Sequence, residues 1–303
     1  MTSIQVYRHA TQGRRESMAR AYFRDVFLTT SDGLTIYCRD YPGPSPEAPV
    51  ALCLHGLSRN SRDFEDVAPI LQRSHRVLVP DQRGRGRSDH DDQTERYLPQ
   101  TYVMDMLQLL DAQRVDRCAI VGTSMGGLMA MGLNALVPGR ISHVVINDIG
   151  PVIAAEGLAR IKSVVGSKMA FADWSEAADY VRAANGAAFP DYGPSDWYRF
   201  AARACSQRDG QVVLDYDPEI TAPMKTGSAG AAPDDLWPLF DGLAETPVLL
   251  LRGEISDLLS LDCVAEMQRR HPRMDLLEVP GVGHAPMLDE SGVMEAIIAF
   301  LAS

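Results

Sequence analysis

Three kinds of residue that together perform nucleophilic chemistry fall at the ends of apolar runs in this 303-residue chain. The first is Ser124 in "AIVGTSMGG" (119–127), a G-x-S-x-G pattern between a strand-like run and a helix-like one. A serine there sits on a strained turn that lifts its hydroxyl clear of a sheet, with a helix N-terminus and its free N–H behind it. Flanking glycines leave room for that turn; a plain glycine bend with an exposed serine is the bland alternative. A serine hydroxyl needs a base. Of seven histidines, His284 in "PGVGHAPMLDE" suits that role best, because a Gly-rich loop at a strand's carboxyl end lets it reach over the sheet. An acid must then orient the imidazole. Asp257 in "LLLRGEISDLL" follows a strong strand and leaves room for one helix and one strand before His284. Asp148, ending "VVIND", and Glu254, beside Gly253, compete with it, and an ordinary loop salt bridge is open to all three.

The elements that must position these residues alternate. "RDVFLTT" and "LTIYCRDY", split by Ser31-Asp32-Gly33, read as a hairpin. "VALCLHG", "HRVLVPD", "CAIVG", "ISHVVIND", "PVLLLRG" and "MDLLEVPG" are near-continuous apolar runs that suit strands covered on both faces. Helical periods lie between them, as in "TYVMDMLQLLDAQRV", "SLDCVAEMQRRHP" and "DESGVMEAIIAFLAS". The expectation is an α/β fold with a doubly wound, mostly parallel sheet. From Gly150 the alternation breaks into helical pieces and one short strand-like run, "QVVLDY". The chain therefore divides into an N-terminal arm (1–22), a first part of the core (23–150), a helical lid (151–235) and a second part of the core (236–303).

Composition limits partners. A net charge of −11 disfavours a nucleic-acid backbone. No run is long and apolar enough for a signal peptide or a membrane span, so a cytoplasmic protein is expected. Five scattered cysteines suit a reducing compartment, with Cys53 and Cys118 as small core residues. The arginines of "MTSIQVYRHATQGRRESMAR" suit a loosely ordered leader or an arm docking on a second copy, and a homodimer is among the expected states. No cofactor is expected, and no metal, because no His/Cys/Asp cluster has ligand spacing.

From about Phe23 to Ser303 the chain resembles lidded α/β-hydrolases, on "LHGL" (54–57), "PDQRGRGRS" (80–88), "GTSMGG" (122–127) and "GVGHAP" (281–286). The resemblance implies a Ser124–Asp257–His284 triad, with the backbone N–H groups of Leu57 and Met125 as oxyanion hole and "DQRGRGRS" as a structural turn. It implies a serine esterase or lactonase that forms an acyl-enzyme. A carbon–carbon hydrolase or acyl transferase with the same triad is the rival, and a non-catalytic receptor of the same fold is the rival of another class. Ser124 replaces the aspartate of dehalogenases and epoxide hydrolases, and Ala285 stands where carbon–carbon hydrolases often carry tryptophan. The acid also departs from the family, in which many members place it three residues after the strand-end glycine; Asp257 is four after Gly253. Residues 151–240 hold eleven of the 21 aromatics, which suggests an apolar, medium-sized substrate bound partly by Trp174 and Trp197. Aromatics that merely hold the lid together are the alternative.

Overall fold

The computed structural model describes residues 4–7, 22–166, 168–223 and 235–303. Most of the expected arm and residues 224–234 of the expected lid lie outside the described residues. The hairpin forms as expected from β2 (Arg24–Thr29) and β3 (Thr35–Tyr41), and β1 (Ile4–Tyr7) pairs antiparallel with β2. The apolar runs become β4 (Val50–Leu54), β5 (Arg76–Pro80), β6 (Cys118–Thr123) and β7 (Ile141–Asn147). Between Gly150 and the next core strand lie α4 (Ala155–Val164), β8 (Ala170–Phe171), α5 (Trp174–Asn185), α6 (Pro194–Ala204), β9 (Cys205–Arg208) and β10 (Gln211–Leu214). The core resumes after α7 (Trp237–Asp241) with β11 (Val248–Gly253) and β12 (Asp275–Val279).

The sheet order is β1-β2-β3-β5-β4-β6-β7-β11-β12, and every pair from β5 to β12 is parallel. The chain winds outward from β4 to β5, then turns back to β6 and continues the other way. β4 and β6 thus flank the switch point, where the loops at the strands' carboxyl ends part and leave a crevice. Helices α1 (Ala68–Leu71), α2 (Pro99–Ala112), α3 (Met125–Leu136), α8 (Leu261–Arg270) and α9 (Val293–Leu301) connect or follow these strands. Burial from both faces explains the runs: Ala51 to Leu54 and Leu250 to Leu251 are fully buried. All five cysteines are free and buried. Among the described residues no helix is long and apolar enough to cross a membrane.

The insertion between β7 and β11 departs from the expected helical set. β8, β10 and β9 form a small antiparallel sheet of their own, in which β10 is the start of the "QVVLDY" run, β9 is as long and β8 is shorter. The insertion is bolted to the core by polar contacts rather than by a shared sheet. Asn60 Nδ2 and Arg62 Nε both donate to the Arg203 carbonyl (3.0 and 3.1 Å), and the buried Arg203 guanidinium meets Asp66.

The "DQRGRGRS" segment is the structural turn the resemblance implied. Asp81 is buried and accepts from the N–H groups of Ser61 and Arg87 (2.6 and 2.9 Å), closing the turn on the loop after β4. Arg83, 1% exposed, is held by both oxygens of Asp105 (2.7 Å each), with Asp91 and Asp32 on its third nitrogen at 2.7 and 3.0 Å. Removing one side of so buried an ion pair strands the other charges. Arg83→Met should therefore lower stability by about 3–5 kcal/mol, read as a lower urea midpoint. A midpoint shift under about 1 kcal/mol would show the network to be dispensable.

Candidate active site

Ser124 lies between β6 and α3 with φ +53° and ψ −116°, a conformation that side-chain-bearing residues rarely adopt. Two glycines make the elbow possible. A Cβ on Gly126 would stand 2.1 Å from the Leu54 carbonyl oxygen, and one on Gly122 would stand 2.4 Å from the Gly126 oxygen. Only bare backbone lets α3 come this close to β4 and β6. The turn is held by the Ser124 N–H donating to the Asn147 carbonyl (2.9 Å), so β7 carries the elbow from the side.

His284 reaches the serine from the loop after β12. Its Nε2 is 2.8 Å from Ser124 Oγ. Its Nδ1 is 2.8 Å from an Asp148 carboxylate oxygen, Oδ2. A carboxylate only accepts, so Nδ1 carries the proton and Nε2 is free to accept from the serine hydroxyl. The loop is fixed from below, where Asn147 Nδ2 donates to the Pro286 carbonyl at 2.8 Å.

The acid against His284 is therefore Asp148, and the expectation for Asp257 is corrected. Asp148 follows β7 with φ +57° and is fully buried. One oxygen accepts the Gly253 N–H at 2.9 Å; the other accepts Ser256 Oγ–H at 2.7 Å as well as His284. Ser256 stands three residues after Gly253, the place where the family pattern puts its acid. It fills that place with a hydroxyl turned toward the carboxylate of the neighbouring strand. Asp257, one residue on, points into the insertion and chelates Arg160 of α4 at 2.6 and 2.8 Å. That bond to Arg160 is what holds its carboxyl below the usual carboxylate range. Glu254, the other competitor, accepts the Gly281 N–H at 2.8 Å.

Opposite the base, the loop after β4 brings Gly56 and Leu57 to the elbow; a Cβ on Gly56 would lie 3.7 Å from Ser124 Cβ. The N–H groups of Leu57 and Met125 donate to no other group among the described residues. The peptide carrying the Leu57 N–H is pinned by His55, a residue to which the sequence attached no role. Gln82 N–H donates to His55 Nε2 (3.1 Å), so His55 Nδ1–H must donate to the Gly56 carbonyl (2.8 Å). Complete burial pushes the His55 pKa down to about 3, so the ring stays neutral and this bond keeps its direction. Arg85 Nε holds the next carbonyl, that of Leu57, at 2.8 Å.

Ser124 and His284 open onto a cavity of about 140 Å³. Core loops supply Leu57, Arg59 and Leu288, and the insertion supplies Arg160, Val164, Phe189 and Phe200. Neither Trp174 nor Trp197 lines it, contrary to expectation. Trp197 is buried and packs on Phe189, Tyr192 and Phe200 at ring distances of 6.3, 5.3 and 5.9 Å, so it supports the wall from behind.

Comparison with known proteins gives the family and the fold. The sequence profile of the alpha/beta hydrolase family matches residues 51–296. A 3-hydroxybutyrate-oligomer hydrolase of Cupriavidus necator is 37% identical over 244 residues, covering 78% of this chain and 83% of that one. A 2-(acetamidomethylene)succinate hydrolase of Mesorhizobium japonicum is 28% identical, with 78% and 81% covered. The crystal structure of an alpha/beta hydrolase from Novosphingobium aromaticivorans superposes with a TM-score of 0.88 at 42% identity, covering 94% of this chain and 99% of that one.

The backbone at Ser124 leads to a measurement independent of turnover. Strain at such a φ costs on the order of 1–3 kcal/mol, and glycine removes it at some entropic cost. Ser124→Gly should therefore unfold about 1 kcal/mol later than Ser124→Ala, since both lack the hydroxyl and only alanine keeps the strain. Equal midpoints in thermal unfolding would mean that the elbow is unstrained.

Proposed function

This chain belongs to the alpha/beta hydrolase family, and from that membership we propose that it is a serine hydrolase cleaving a carboxylic ester of a small acyl group. The observation that carries the reading is the relay of Ser124, His284 and Asp148, joined by two contacts of 2.8 Å. Ser124 Oγ attacks the ester carbonyl while its proton passes to His284 Nε2. The carbonyl oxygen, now negative, is met by the N–H groups of Leu57 and Met125. The C–O bond to the alcohol breaks, and His284 returns the proton to the leaving oxygen. Water then attacks the acyl carbon as it gives a proton to His284, and His284 returns that proton to Ser124 Oγ as the bond to the acid breaks. Asp148 holds the imidazole in the tautomer that accepts at Nε2 and offsets its charge when it is protonated.

Cavity size favours a small acyl group over the medium-sized apolar one expected from the lid's aromatics. About 140 Å³ is well below the roughly 300–1,000 Å³ of most ligand sites. The wall is also not wholly apolar, since Arg59 and Arg160 line it, each chelated by an aspartate, Asp63 and Asp257. A short hydroxyacyl ester of the kind named in the Cupriavidus relative fits both features. Residues of the insertion act in this reading as a lid over Ser124.

A serine-directed fluorophosphonate should label the protein at Ser124 and leave Ser124→Ala unlabelled; a chain labelled in neither form would be a receptor. Turnover of p-nitrophenyl acetate should fall about a million-fold in Ser124→Ala. It should fall about ten-thousand-fold in Asp148→Asn, where the amide favours the wrong tautomer. Asp257→Asn, which loses a half-exposed ion pair, should cost less than about tenfold. The reverse ranking of the two asparagine variants in kcat would return the acid's role to Asp257.

A further inference from the structure

The cavity at Ser124 is small, and a second, wider one of about 480 Å³ opens in the insertion beside it. Phe189 is the residue that lines both. Helix α5 and the loop after it are the partition. Ala184 and Asn185 face the Ser124 cavity, whereas Ala183 and Gly186 face the outer one. The Phe189 ring is 2% exposed and lies nearly flat on Tyr192, with centroids 4.6 Å apart and planes at 27°. Its backbone is tied on both sides: the Ala188 carbonyl accepts the Gly283 N–H at 2.7 Å, and Phe189 N–H donates to Gly186 at 3.3 Å. With its backbone so tied, the Phe189 side chain is the part of this partition that a passage between the cavities would have to move.

The outer cavity has mixed walls. Tyr192 and Trp197 give aromatic faces, while Asp179 and Arg182, one helical turn apart on α5, give exposed polar groups. An alkyl chain gains nothing from the charged side. A chain in which methyl-bearing carbons alternate with ester carbonyls meets both kinds of wall, because its methyl groups cover the rings and its carbonyls accept from donors.

Resting on the serine-esterase reading above, we infer that the outer cavity is a second subsite, taking the further units of a linear hydroxyacid oligoester whose scissile bond lies at Ser124, with Phe189 as the gate between them. The inner cavity then holds the small acyl unit being cleaved and excludes a long fatty acyl chain. The rest of the oligomer lies past the Phe189 ring.

The test fills the outer cavity from a residue that does not line the inner one. Ala183 is exposed on α5, so Ala183→Trp adds bulk there with little effect on packing. The quantity read is kcat/KM for the 3-hydroxybutyrate tetramer divided by that for p-nitrophenyl acetate. This ratio should fall about tenfold or more in Ala183→Trp, a loss comparable to one good apolar contact. In Phe189→Leu, which thins the gate while keeping an apolar side chain, the ratio should rise. Binding without turnover gives a second readout: in the Ser124→Ala background, calorimetry should show the tetramer bound about tenfold more weakly when Ala183→Trp is added. If wild type hydrolyses p-nitrophenyl acetate and the ratio and tetramer affinity are unchanged in Ala183→Trp, the outer subsite is overturned and the esterase reading stands. If wild type hydrolyses neither compound, the esterase reading fails and the subsite fails with it.

Discussion

A fully buried carboxylate must be surrounded by donors, and satisfying Asp148 organises most of what matters in this molecule. Leaving such a group unpaired would cost several kcal/mol. Its partners come from places far apart in the chain: a strand-end N–H at Gly253, a hydroxyl at Ser256 and an imidazole at His284. Those three lie at the carboxyl ends of β11 and β12, while Asp148 itself ends β7. One anion thus sets the relative heights of three loops at one edge of the crevice. The same strand also holds the nucleophile, because the Asn147 carbonyl accepts the Ser124 N–H. β7 is the strand on which Asp148, His284 and Ser124 meet.

The other side of the crevice is organised by the opposite charge. Arg85 is completely buried and has no carboxylate partner among the described residues; it donates to the carbonyls of Leu57 and Arg83 and lies over the Tyr102 ring at 4.7 Å. Its neighbour Arg83 takes three aspartates instead. A guanidinium spread over carbonyls and ring faces keeps the loop after β4 in place while leaving the Leu57 N–H unspent. His55 completes this arrangement as a neutral, directional link. The N–H groups of Leu57 and Met125 thus have no acceptor among the described residues, which is the condition for their meeting a negative oxygen.

How much of this was legible in the chain follows from how local each feature is. The doubly wound sheet could be read because each core strand is a near-continuous apolar run, and the G-x-S-x-G elbow because glycines at fixed offsets are demanded where a Cβ would come as close as 2.1 Å to backbone. His284 was legible from its glycine-rich loop at a strand end. The acid was not, since its choice depends on sheet order: β7 lies between β6 and β11, so a carboxylate on it reaches the base from the next strand. The one visible sign was the misplaced spacing after Gly253, which reflects a serine in the acid's usual position. β8 and β9 were missed because two- and four-residue strands leave no period to detect. Trp174 and Trp197 were chosen for size and composition, and neither property tells which face of a helix meets a cavity; Phe189 and Phe200 take the lining positions.

Two fastenings of the insertion fall directly beside residues that contact Asp148 or Ser124. Asp257, which chelates Arg160 of α4, directly follows Ser256, the hydroxyl on Asp148. Gly283, whose N–H donates to the Ala188 carbonyl of the insertion, directly precedes His284. Any displacement of α4 pulls on the loop that holds the acid, and any displacement of the segment after α5 pulls on the loop that holds the base. The imidazole tolerates little of either, since its contacts to Ser124 and Asp148 are both 2.8 Å and lose strength steeply with distance and angle. The position of the insertion is therefore tied to the contacts that join Ser124, His284 and Asp148.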